Sequence, residues 1–202
     1  MLHYETIEPV TLGLLKEIQF IEAFSEVRLV GGTALALQIG HRKSIDLDFF
    51  GNVPYDTQQI ADYLAPLGNI QILQESKNIH IYLINGIKVD FVHFELPWCH
   101  EAITEDNIRL AHLEDIAAMK ITAVVGRGTK KDFIDIANLL EVYSLHQILA
   151  FYQNKYPNAS RFMALKSLLY FNDAEQDVMP VMIKEQSWDC IKKRIIKAVN
   201  DL

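Results

Sequence analysis

Cysteine is nearly missing. Only Cys99 and Cys190 stand in 202 residues, far apart and without a C-x-x-C pair. That argues against a disulfide framework and a cysteine-built zinc site, and it suggests a reducing compartment. The longest apolar runs fall far short of the roughly 20 residues that span a bilayer, so no membrane partner is expected. The opening MLHYETIEP lacks the basic-then-apolar pattern of a secretory signal, so the expected location is cytoplasmic. There is no low-complexity tract and no internal repeat, which excludes linkers and solenoids. Positive charge is also short. Nineteen Lys and Arg face 26 Asp and Glu, for a net charge of −7, which argues against broad, non-specific nucleic-acid binding. Local basic clusters remain at Arg42-Lys43, from Arg127 to Lys131 and from Lys192 to Arg194. Half the residues are hydrophobic, enough for one large core or two small ones.

What is present is concentrated in Gly31–Phe50, GGTALALQIGHRKSIDLDFF. Val27 to Val30 reads as a short strand and Gly31-Gly32 as a turn that lets backbone approach a ligand. Thr33 can cap a helix over Ala34–Ile39, and Gly40 can end it. The free amides at such a helix start favour an anion such as a triphosphate. The strand that follows carries Asp46 and Asp48. Residues i and i+2 of a strand share a face with alpha carbons about 7 Å apart. Ile45, Leu47 and Phe49 then fill the opposite face. Two carboxylates on one face of an apolar strand suit a pair of divalent ions, Mg2+ or Mn2+. Phosphates at Gly31, Gly32 and Thr33 and metals at the aspartates would meet in one cleft, with Arg42 and Ser44 near enough to assist. That is the chemistry of phosphoryl or nucleotidyl transfer from an NTP.

The flanking segments supply the rest. Val10 to Phe24 has the apolar stripe of a packing helix, with Lys16, Glu17, Gln19 and Glu22 outward. Gly51 to Tyr55 reads as a loop, and Asp56 as the cap of a helix over Thr57–Leu64. Three strands are expected at Ile70–Gln74, Ile79–Ile84 and Ile87–Phe94, the last two joined by the type I′ turn signal Asn85-Gly86. With that register, Ile87, Val89 and Phe91 share one face and Lys88, Asp90 and Val92 the other. Asp90 is either an edge-strand surface acid or a third carboxylate brought beside Asp46 and Asp48. From Ile103 helical periodicity takes over, which places a domain boundary near residues 101–106. The division is 1–104, a catalytic α+β domain with a mixed sheet and flanking helices, and 105–202, a C-terminal helical domain. In the helix Asp115–Val125, Lys120 sits among Ile116, Ala117, Ala123 and Val124, so it either snorkels or meets an anion such as a nucleotide phosphate. Asp132 suits a capped first helical turn, a bond to Lys120 or Arg127, or a place at the nucleotide. The last helix, Ser187 to Val199, packs through Trp188, Ile191, Ile195 and Ala198 behind a basic outer face.

These blocks resemble the nucleotidyltransferase fold, whose pattern is GG or GS, a helix, then D-x-D on the next strand. More closely, GGTALAL followed by GHRKSIDLDFF looks like the AbiEii/AbiGii-type toxin family, a bacterial branch of that superfamily. VDF around Asp90 matches the family's downstream acid. EDIAAMKITAVVGRGTKKDFIDI matches its lysine helix and R-x-x-x-(K/R)-D-x-x-D block, with Lys120, Arg127, Lys131, Asp132 and Asp135 on those positions. The resemblance implies metal binding by Asp46, Asp48 and Asp90, with Asp90 as base for an attacking hydroxyl, and Lys120 as a phosphate contact. It further implies transfer of a nucleotide to an acceptor such as the end of a tRNA, as a toxin restrained by an antitoxin protein. Two other readings share much of the motif: a nucleotide- or partner-binding module with little turnover, and a transferase acting on a small molecule of aminoglycoside type.

Overall fold

The computed structural model describes residues 1–54 and 56–202, so the Tyr55 end of the expected loop lies outside the described residues. The first half of the chain alternates strands and helices: α1 (Pro9–Phe20), β1 (Val27–Val30), α2 (Gly31–Ile39), β2 (Leu47–Gly51), α3 (Thr57–Leu64), β3 (Ile70–Glu75), β4 (Ile79–Ile84) and β5 (Ile87–His93). A short hairpin, β6 (Ile103–Glu105) and β7 (Ile108–Leu110), follows. The rest is helical: α4 (Leu113–Gly126), α5 (Lys130–Leu139), α6 (Leu145–Lys155), α7 (Arg161–Leu168) and α8 (Trp188–Asn200). Among the described residues the strands form one seven-stranded mixed sheet in the order β3-β4-β5-β2-β1-β7-β6. Among these residues, too, no helix is long and apolar enough to cross a membrane.

Alternation along the strands decides the two faces of the sheet. Leu47 and Phe49 of β2, Val89 and Phe91 of β5, and Tyr82 of β4 are buried on one face. There Phe91 stacks on Phe24 at 4.7 Å and on Phe49 at 5.3 Å, ring centre to ring centre. The other face carries Asp48, Phe50, Asp90 and Val92, and α4 stands across from it. The tight turn at Asn85 and Gly86, both at positive φ, fixes the register of β4 on β5 as the sequence implied. Asp56 caps α3 by accepting the Gln58 and Gln59 N–H groups.

Four local expectations change. The segment from 103 to 110 is not helical: Ile103↔Leu110 and Glu105↔Ile108 pair antiparallel around a turn in which Asp106 and Asn107 both have positive φ. β7 then joins β1 in parallel through Leu29↔Leu110, so the expected division after residue 104 falls inside β6. Three-residue strands are too short to show a period in sequence. Helix α2 begins at Gly31 rather than Ala34, so Thr33 lies within its first turn and is not its cap. Strand β2 begins at Leu47, which leaves Asp46 one residue before it and Ile45 exposed. Gln19 is buried, not outward: its side-chain amide donates to the Arg109 carbonyl at 2.9 Å, and its Oε1 accepts the Arg109 N–H at 2.6 Å. It thereby completes the backbone bonding of β7.

Candidate active site

The site starts with strand pairing. β2 and β5 run parallel with Asp48 directly opposite Asp90, so both carboxylates leave the sheet on one face. Two acids side by side raise each other's cost of ionisation. Burial first, and then Asp90, push the Asp48 carboxyl up to about 6; Lys120 and Lys88 pull against them and Asp46 adds to them. Lys88, two residues before Asp90 on the same strand face, holds both Asp90 oxygens at 2.6 and 2.5 Å.

Gly31 closes the acid end. It has φ +68° and follows β1, whose Val30 is opposite Asp48. A methyl on Gly31 would overlap the Asp48 carboxylate, so the glycine admits that side chain against the helix start. The first amides of α2 have no side-chain cap. A methyl on Gly32 would instead meet the Arg42 guanidinium. Thr33 is buried, and its hydroxyl bonds Ser44 Oγ at 2.8 Å and the Asp46 carbonyl. Thr33 and Ser44 therefore brace the loop that delivers Asp46 to β2.

A cavity of about 500 Å³ lies between the acid face of the sheet and α4. Its floor is Phe50, Ile79, Ile81 and Val92. Its opposite wall is the stripe Ile116, Met119, Lys120, Ala123 and Arg127, at the three- and four-residue spacing of one helix face. Gln74, Thr122 and Tyr156 add polar groups at its margin. The cavity therefore has an ionic end and an apolar end.

Lys120 sits at the ionic end, almost fully buried. It does not snorkel: its Nζ is 2.6 Å from Asp135 and 3.4 Å from Asp132. Asp135 is fully buried and also receives Arg42 through Nε at 2.8 Å and Nη2 at 2.9 Å, and His41 at 2.7 Å. Burial alone would raise the Asp135 carboxyl, but Lys120, Arg42 and His41 hold it well below the usual range. Asp132 accepts from Arg127 at 2.8 and 2.9 Å and from the Thr129 hydroxyl at 2.7 Å, and closes a capping box on α5. Burial opposes its ionisation, yet Arg127 and Lys120 hold it below the usual range.

Of the residues singled out in sequence, the structure brings Gly31, Asp48, Asp90, Lys120 and Arg127 to the cavity wall. Gly32, Thr33, Arg42, Ser44, Asp46 and Asp132 do not line it, though Gly32 adjoins Gly31 and Asp46 lies two residues from Asp48. Arg42 is tied to Asp135, and Asp132 to Arg127. Asp46 is partly buried, and its charge reaches both Asp48 and Arg42. Sequence reasoning missed His41, the role of Asp135 as the centre of the ionic network, and the cavity residues Gln74 and Tyr156. A polar GHRK turn and two aspartates three apart on a helix were the only signals.

The chain as a whole is similar to known proteins. A model of the family described as nucleotidyl transferase AbiEii toxin, type IV TA system, matches residues 13–201. A protein of Aquifex aeolicus is 34% identical over 170 residues, which span 81% of this chain and 82% of that one. Among solved structures, JHP933 from Helicobacter pylori superposes with a TM-score of 0.60 at 16% identity, over 95% of this chain and 88% of its own. MenT4, a nucleotidyltransferase toxin from Mycobacterium tuberculosis, gives 0.58 at 13% identity, over 96% and 86%. The antibiotic-resistance factor ANT(2'')-Ia gives 0.55 at 14% identity, over 77% and 96%. At these identities the structures share the fold. The family match, running through almost the whole chain, carries the classification: this chain belongs to the nucleotidyl transferase AbiEii toxin family.

Proposed function

We propose that the cavity binds a nucleoside triphosphate with magnesium or manganese and transfers its nucleoside monophosphate to an RNA acceptor, a tRNA end foremost. The observation that carries this reading is the Asp48–Asp90 pair, held in register beside the uncapped start of α2 and facing Lys120.

The donor set fits a hard divalent cation. The nearby acids are all carboxylates, the preferred ligands of magnesium and manganese. Burial first, and then Asp90, push Asp48 up, and a bound cation would relieve both. Asp48 and Asp90 would hold the cations, with Asp46 completing the set. Bound there, they would supply positive charge that favours the attacking hydroxyl as its anion and offsets the charge of the leaving pyrophosphate.

The chain's own groups do the rest. The amides at Gly31 and Gly32 receive phosphate oxygens. Lys120, fixed by Asp135 and Asp132, presents a compact positive charge to the triphosphate. Phe50, Ile79, Ile81 and Val92 offer an apolar floor to the base. Asp90 takes the proton of the attacking hydroxyl, a bond forms from that oxygen to the alpha phosphorus, and the bond to pyrophosphate breaks. In a cell this activity would arrest growth in the cytoplasm until an antitoxin protein restrained it.

The test is label transfer. The protein is incubated with magnesium, each alpha-labelled NTP in turn and a tRNA pool, beside Asp48→Ala and Asp46→Ala variants. Labelled RNA that needs the intact acids is the expected result. NTP binding without labelled RNA would refute the RNA acceptor; labelled product with an aminoglycoside would then favour a small-molecule transferase, and no product at all a binding module.

A further inference from the structure

We propose that His100, His112 and Glu114 form a second metal site, for a first-row transition metal such as zinc, separate from the acid pair. The three residues meet where the segment after β5 folds over the start of α4. One nitrogen of each imidazole and one Glu114 oxygen all lie within 4.8 Å of one another. The two rings stand 4.4 Å apart, centre to centre, and His100 Nε2 is 2.6 Å from Glu114 Oε2. Tetrahedral zinc, with bonds of about 2.0–2.2 Å, needs ligand atoms about 3.3 Å apart. Sub-ångström to ångström shifts of three side chains reach that arrangement. The donor set of two imidazoles and one carboxylate suits zinc and its neighbours rather than magnesium.

The site is held from outside. The His100 backbone N–H donates to Asp115 at 3.2 Å, and its carbonyl accepts Arg28 Nη1 at 2.6 Å. Asp115 is in turn paired at 2.6 Å with Lys155, and both are fully buried. His112 is the N-cap of α4, where its Nδ1 accepts the Glu114 N–H over 3.3 Å, a long bond that a metal could replace. The His100 side chain is 41% exposed, which leaves a path for the ion and a fourth position for water. A cation here would pin residues 97–102 to α4 one turn before Ile116, the first cavity residue on that helix. The scarcity of cysteine does not bear on it, because no thiolate is used.

The full chain, stripped with a chelator and kept in magnesium, would be titrated with zinc against a chromophoric competitor. One zinc per chain is expected, with affinity weakened about tenfold or more in His100→Ala and in His112→Gln. The Asp48→Asn, Asp90→Asn double variant and Cys99→Ser should bind zinc as tightly as the wild type. Cobalt in place of zinc should give the visible absorption of a four-coordinate site without a thiolate band. Circular dichroism of each variant separates lost binding from lost folding. The proposal is overturned if no zinc binds above background, if folded histidine variants keep wild-type affinity, or if binding follows the aspartates or Cys99.

Discussion

Replacing Asp48 with asparagine should make the metal-free protein more stable while removing transfer. Asp48 is held at about 6 instead of 3.8 by burial and by Asp90. The native state therefore keeps this proton to higher pH than the unfolded chain does. Stability falls as pH rises from about 4 to about 6 and stays lower above that window. A shift of about two units corresponds to at most about 3 kcal/mol. Asparagine has nearly the same shape, so it still fits against Gly31, and it carries no charge. Allowing for the lost attraction to the Lys120 and Lys88 charges, the expected gain is about 1–3 kcal/mol, or about 3–9 °C in Tm for a chain of this size. Thermal melts in chelator at about pH 7.5 and about pH 4.5 read it directly, since the gain should shrink at the lower pH. Magnesium should raise the Tm of the wild type more than that of the variant. An asparagine variant no more stable than wild type at the higher pH, or equally stabilised at both, would refute the electrostatic account of the acid pair.

Other substitutions test other parts of the site. Gly31→Ala puts a methyl into the Asp48 carboxylate at a backbone φ of +68°, which costs roughly 1–2 kcal/mol. Label transfer should fall more than stability does, and an unchanged rate would show that the close approach is not needed. Asp135→Asn takes the buried carboxylate from Arg42 and His41 and leaves Lys120 with Asp132 alone, at a cost of about 3–5 kcal/mol by urea denaturation near neutral pH. Because the Asp135 carboxyl is held well below its usual range, the wild-type advantage should be present above about pH 4 and vanish as pH falls further. Lys155→Met strands buried Asp115, still bonded to the Cys99 and His100 N–H groups, and should cost a similar amount. A loss under about 1 kcal/mol in either variant would mean that water or relaxation replaces the missing charge.

Much of the site's geometry was legible because it rests on short-range rules. The Asn85-Gly86 turn set the register of β5, and that register set the face of Asp90. Alternation along β2 likewise separated Asp48 from Phe49. The capping residue Asp56 stood where its helix begins. The β6–β7 hairpin was not legible, since three-residue strands hold no period and Asp106-Asn107 offers a turn without its usual glycine. Gln19 was misplaced because a polar residue on a helix reads as solvent-facing unless its partner, here the backbone of Arg109, is known.

The sequence by itself determined the local units: a glycine-led helix after one strand, an acid on each of two strands, and a lysine inside an apolar helical stripe. Periods, turns and caps act over a few residues and survive without the rest of the chain. Only the tertiary structure decided which of the marked residues share one cavity. Arg42, Lys120 and Asp132 all carry charge, and a place at the nucleotide was open to each. Folding turned Arg42 and Asp132 inward to other charges and left Lys120 on the wall. The reason is burial: a charge removed from water needs a partner, which for Asp132 is the nearby Arg127 but for His41 and Arg42 is Asp135, some 90 residues away.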